Sequence, residues 1–108
     1  MALAMITASV HASDLTDEIE RGKAAIRERL NQMVAVTTEQ NWVRIDKAGK
    51  RVWVDVPHFW STLSGHMQEQ SAQFFALYCD FDHPDIVIYD MTSGQRIARF
   101  SREQYFPW

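Results

Sequence analysis

The apolar positions of the chain follow two periods, and the change from one to the other marks its elements. Leu15, Ile19, Gly22, Ile26, Leu30 and Met33 recur at three- and four-residue spacing, which predicts a helix with one apolar stripe. Ser13 or Asp14 opens it. Asp14, Asp17, Glu18 and Glu20 fill its first turns and Arg27 and Arg29 follow, the order that the helix dipole favours. Glycine inside such a stripe costs about 1 kcal/mol against alanine, so Gly22 is read as a close helix contact. The β-branched run Val34–Thr38 is expected to end or fray the helix.

Trp42–Asp46 and Arg51–Val56 then alternate with period two around Lys47-Ala48-Gly49-Lys50, a predicted β-hairpin. Matching apolar residues sets Val43 opposite Val54 and Ile45 opposite Val52. A three-residue loop with Gly49 in a bulge would shift every partner by one. The apolar pattern governs, because the shifted register exposes the whole valine row. Trp42 and Trp53 then share the second face with Arg44, Arg51 and Asp55. A second hairpin, Asp85–Met91 with Arg96–Ser101 around Thr92-Ser93-Gly94, pairs Ile86 with Phe100, Ile88 with Ala98 and Asp90 with Arg96. Val87, Tyr89, Met91 and Ile97 lie on its other side and predict cover on both faces.

Between the hairpins, Phe59, Leu63, Met67, Phe74, Leu77 and Phe81 repeat at helical spacing, a stripe that Trp60, Phe75 and Tyr78 widen. Pro57 suits a first turn capped by Asp55. Ser64-Gly65 kinks the helix or splits it in two, and Pro84 stops it. The expected fold is therefore α+β in the order helix, hairpin, helix, hairpin. About four antiparallel strands form one sheet with both helices on one face. Its core would include Ile19, Ile26, Leu30, Val54, Leu63, Phe74, Leu77, Ile86, Ile88 and Phe100.

At 108 residues the chain is long enough to bury one core without disulfides or a structural metal. With 46% apolar and 23% charged residues it is not a disordered sequence, and its single cysteine excludes an internal disulfide framework. Residues 13–108 are assigned to one domain. The apolar Met1–Ala12 ends in Val10-His11-Ala12 and has two readings: an extension docked on the domain or on a second copy, or a signal-sequence remnant. The first implies a cytoplasmic protein, the second a periplasmic or secreted one. The run is too short to span a membrane.

A net charge of −3 argues against general affinity for nucleic acid or anionic membrane. Lysine and arginine are absent from Val52 to Gln95, where Asp55, Glu69, Asp80, Asp82, Asp85 and Asp90 lie. That layout suits an acidic face for a basic protein partner. Asp80, Asp82, His83 and Asp85 are weak candidates for a metal site, since alternate oxygen ligands can hold a hard cation. The competing reading is a polar turn in which Asp80 or Asp82 accepts backbone hydrogen bonds. Cys79 is read as a packed core thiol. No phosphate loop, zinc-protease or nucleophile-elbow motif is present, so no catalytic residue is assigned and no cofactor is called for. Tyr89–Gln95, YDMTSGQ, resembles the strand–turn unit of many β-repeat proteins, but it occurs once and without a fixed-period repeat.

The aromatic residues carry the functional reading. Four tryptophans with the Tyr105-Phe106-Pro107-Trp108 tail exceed what one small core needs. Trp42, Arg44, Trp53, Tyr105, Phe106 and Trp108 are accordingly taken as an interface, where tryptophan, tyrosine and arginine are enriched. The sequence reads as a non-enzymatic protein–protein interaction module that forms a homodimer. The alternative is a cone-shaped α+β pocket protein that binds a small ligand, with scope for hydrolase or isomerase chemistry. Its cavity would be lined by Trp60, His66, Phe74 and Tyr78.

Overall fold

The structure, a computed structural model, describes the backbone of residues 2–108 and the side chains from Leu15 onward. Helix α1 spans Ala2–Glu39, followed by strands β1 (Val43–Asp46) and β2 (Arg51–Val54). A 3-10 turn at Trp60–Thr62 leads into helix α2 (Gly65–Cys79), then strands β3 (Asp85–Asp90), β4 (Arg96–Ser101) and β5 (Gln104–Pro107). The fold is α+β: two helices and one five-stranded sheet in the order β1-β2-β3-β4-β5.

In the first hairpin Val43 lies opposite Val54 and Ile45 opposite Val52, the register set by the apolar pattern. The turn accommodates this by a route that glycine chemistry does not suggest. Lys50, not Gly49, takes the left-handed conformation (φ 53°), and Asp46 Oδ1 accepts the Gly49 N–H at 3.0 Å. A Cβ at Gly49 would stand 2.5 Å from Asp46 Oδ2, so a larger residue there would displace the carboxylate that holds the turn. In the second hairpin Ile86–Phe100 and Ile88–Ala98 pair as expected, but a bulge then places Arg96 opposite Tyr89 instead of Asp90. Asp90 serves the turn, where its carbonyl accepts the Gly94 N–H at 2.8 Å and Gly94 adopts φ 75°.

The expected all-antiparallel sheet is corrected at its centre: β2 and β3 run parallel, with Val52 beside Ile88. One helix lies between them and returns the chain to the starting end of the sheet, which makes the next strand parallel. Strand β5 also adds a fifth member, pairing Tyr105 with Phe100. It follows a tight turn in which Arg102 and Glu103 both have positive φ.

Val43, Val52, Val54, Ile86, Ile88, Ala98 and Phe100 form the inner face of the sheet, packed with Ala72, Phe75, Ala76 and Cys79 of α2 and Val34 of α1. Both helices thus cover one face, as expected. The α2 stripe is the narrow Ala72-Phe75-Ala76-Cys79 set, not the one through Met67 and Phe74, which are 46% and 39% exposed. Ile19 and Ile26 are likewise exposed, while Leu63 is half-buried against the core and Leu77 is half-buried without joining it. Helix α2 starts where Ser64 Oγ accepts the Met67 N–H at 3.2 Å, so Ser64-Gly65 does divide the aromatic segment in two. Asp55 accepts the His58 N–H at 3.2 Å in the preceding turn.

Helix α1 starts at Ala2 and runs through Ser13 and Asp14 without a break. The helix-forming Ala, Leu and Met residues ahead of them outweigh the start signal. The expected docking of residues 1–12 concerns side chains outside the described residues. At its other end α1 continues through Val34–Thr38, because Val34 and Thr37 are buried and Thr37 Oγ1 donates to the Val34 carbonyl at 2.9 Å. It stops at Asn41, whose left-handed conformation (φ 59°) lets the Asn41 and Trp42 N–H groups bond the Thr38 and Thr37 carbonyls.

Candidate functional site

The sheet alternation that buries the valine row turns a second set of side chains outward, and the register assembles them into two rows. Arg44 lies opposite Trp53, Trp53 beside Tyr89, and Tyr89 opposite Arg96. The next row runs Asp46, Arg51, Val87, Arg99 and Phe106. The rings and guanidiniums are in contact. Arg44 Cζ stands 4.5 Å from the centre of the Trp53 ring, and Trp53 stacks on Tyr89 at 5.5 Å. Arg51 lies 5.6 Å from Trp53, and Arg99 5.6 Å from Phe106. Such cation–π contacts fix the long side chains, leaving their polar edges toward solvent. Asp46 neutralises Arg51 at 2.9 Å and is held well below the usual carboxylate range by the Gly49 N–H and by Arg51. Among the described residues no helix packs over this face, so the cover expected beyond Val87 and Tyr89 is corrected.

Of the six interface residues expected from sequence, Arg44, Trp53 and Phe106 lie on these rows, and Trp108, 61% exposed, borders a depression with Arg99 and Phe106. Trp42 instead stacks flat on Phe59 (5.4 Å, 6°), and Tyr105 packs against the core from the inner face. Sequence reading missed Tyr89, Arg96 and Arg99 as members of the face. The signal was present in the alternation of Tyr89 and Arg99, but only the parallel joint between β2 and β3 puts Tyr89 beside Trp53. Arg96, in phase with Ala98 and Phe100, joins the row only through the bulge.

The four pocket residues are not brought around one cavity. Trp60 is buried in the core, His66 is exposed in the first turn of α2, and Tyr78 lies under Lys47 Nζ at 4.9 Å. Phe74 instead closes a groove of about 320 Å³ between the helices with Ile26, Arg29, Leu30 and Met33.

Asp80 is the C-cap residue of α2 and ties up the acidic loop. Its Oδ1 accepts the N–H groups of Asp82 and His83, each at 3.1 Å, and its Oδ2 meets Lys50 Nζ at 3.2 Å. These partners, the His83 N–H first and then Lys50, hold its pKa below the ordinary value. They offset the unfavourable placement of an acid at a helix C-terminus. Among the described residues no group of three or more His, Cys, Asp and Glu side chains could hold a metal ion. Asp82, His83 and Asp85 are exposed or half-exposed, while Cys79 is buried and its thiol is pushed up to about 11, chiefly by that burial. His58 Nδ1 sits 3.1 Å from Asp55 Oδ2 in an exposed turn, and the nearby Ser61 hydroxyl donates to the Pro57 carbonyl. The pair closes the turn.

No helix of the described residues is long and apolar enough to cross a membrane. No protein-family model, curated protein or solved structure matches the chain.

Proposed function

We propose that the protein is a non-enzymatic protein–protein interaction module that acts as a homodimer and presents the outer face of its sheet to a second protein. The observation that carries this reading is the pair of solvent-facing rows in which Arg44, Trp53, Tyr89 and Arg96, then Arg51, Arg99 and Phe106, lie across adjacent strands. Aromatic bodies held against guanidiniums give a preordered surface, and tryptophan, tyrosine and arginine dominate binding energy at protein interfaces. The partner side of this face is acidic. Among the described residues the ion pairs do not include Arg44, Arg96 or Arg99, and Arg51 alone of the arginines on this face is matched, by Asp46. A carboxylate-bearing partner therefore fits this face, which is not the acidic surface from which charge layout suggests a basic one.

The test compares proximity cross-linking of the intact protein in its own cells with that of an Arg44→Glu/Arg99→Glu/Trp108→Ala variant. A protein with an acidic surface should be recovered with the wild type and lost with the variant, while the circular dichroism spectra coincide. Identical recovery from both would remove the sheet face as the binding surface.

A further inference from the structure

The sheet face leaves the longest element unexplained. At 1.5 Å per residue the 38 residues of α1 extend about 57 Å, and the molecule measures 68 Å in one direction against 27 and 26 Å in the others. Only from Leu30 onward do α1 side chains enter the core among the described residues. Ahead of that point Leu15, Ile19 and Ile26 are 47%, 59% and 47% exposed. They share a stripe with Gly22, and a Cβ at Gly22 would meet nothing within 4 Å. The monomer thus contains a helix-weakening glycine for which it supplies no close contact. The same stripe leads into the apolar groove of Ile26, Leu30, Met33 and Phe74.

We propose that two copies pair through α1 in antiparallel sense, crossing at Gly22, with Leu15 of each copy seated in the Ile26-Leu30-Met33-Phe74 groove of the other. One register satisfies these features together. A two-fold axis beside Gly22 and Lys23 sets Ile19 level with Ile26 of the partner copy and Leu15 level with Leu30. The axis lies near the middle of α1, so most of the helix length overlaps. Gly22 then lies where the backbones come closest, the use for which a small residue is suited. Charge distinguishes antiparallel from parallel. Acids Asp17, Glu18 and Glu20 precede bases Arg21, Lys23, Arg27 and Arg29 along the helix, with Glu28 the one charge out of this order over that stretch. Antiparallel pairing brings Glu18 toward Arg29 and Glu20 toward Lys23 and Arg27 of the other copy, while parallel pairing sets like charges level. An antiparallel contact of this kind is isologous and closes as a dimer.

This inference rests on the homodimer part of the proposed function and is independent of the sheet face. It is tested with the full chain by mixing Glu18→Cys and Arg29→Cys proteins under mild oxidation, alongside each alone, and by weighing Leu15→Asp and Ile26→Asp variants by light scattering. The mixture should yield a disulfide joining position 18 of one copy to position 29 of the other, with far less product from Glu18→Cys alone. The two aspartates should each raise the dimer dissociation constant at least tenfold with helix content retained. Self-linked Glu18→Cys as the main product would overturn the antiparallel sense. A dimer unaffected by both aspartates would overturn pairing through α1 while leaving a homodimer through another surface. A wild-type monomer at tens of micromolar would overturn both. Should either aspartate variant unfold, Gly22→Met provides the second reading: it favours the isolated helix yet should weaken the dimer by crowding the crossing.

Discussion

Several residues of this protein are chosen for a task that their residue type does not announce. Lys50 adopts a left-handed conformation while its ammonium reaches Asp80 at 3.2 Å, so one side chain joins the first hairpin to the loop after α2. Asp46 and Asp80 hold the two turns as carboxylates, and both have depressed pKa values. A depressed folded-state pKa contributes stability that is present above the unfolded value, near 4, and is lost as pH falls through the folded one. Acid titration should therefore destabilise the wild type more steeply below about pH 4 than Asp46→Asn/Asp80→Asn, as followed by denaturant midpoints. Parallel acid limbs would show that these turns do not set the response. Arg102 and Glu103, at φ 52° and 63°, occupy a turn whose backbone favours Asn-Gly. Glu103→Gly should raise unfolding stability by about 1 kcal/mol, since glycine adopts that conformation without strain. Cys79, with its pKa pushed up to about 11, should resist alkylation at about pH 8 in the folded protein and react readily in denaturant.

At the scale of elements, what could be read in the sequence depended on the size of the side chains that carried the pattern. Both hairpin registers through Val52 and Ile88 were legible because period-two alternation of large apolar residues leaves one register that buries them. The face of α2 was not legible. Its contact with the sheet uses Ala72, Ala76 and Cys79, small residues that let the helix approach closely, and they carry little weight beside Phe74 and Leu77 in a pattern. Only Phe75 fills the space between, at 1% exposure. Phe75→Ala should cost about 3–5 kcal/mol in urea unfolding, whereas Phe74→Ala should cost under about 1 kcal/mol in the monomer. Similar losses at the two positions would contradict the assignment of the buried face. The extent of α1 was also hidden, because Ser13 and Asp14 resemble a cap and nothing local says that the helix runs past them.

The whole molecule is a compact sheet-and-helix body with one long helix running out from it, and its two exposed surfaces differ in kind. The outer sheet face is aromatic and cationic, and only Arg44, Trp53, Phe106 and Trp108 of the expected set contribute to it. Joining Tyr89 to Trp53 required the parallel β2–β3 pair, a long-range choice that neither hairpin pattern contains. The α1 stripe was legible as apolar, but which part of it meets the core depends on where the sheet docks. On the proposed reading these surfaces separate two roles, self-association along α1 and partner binding across the sheet. Equilibrium sedimentation of the wild type and of Leu15→Asp/Ile26→Asp at tens of micromolar tests that division most directly. The expected result is twice the chain mass for the wild type and a single chain mass for the variant, with matching helix content. A wild-type mass of one chain, or a variant that remains fully dimeric, would contradict it.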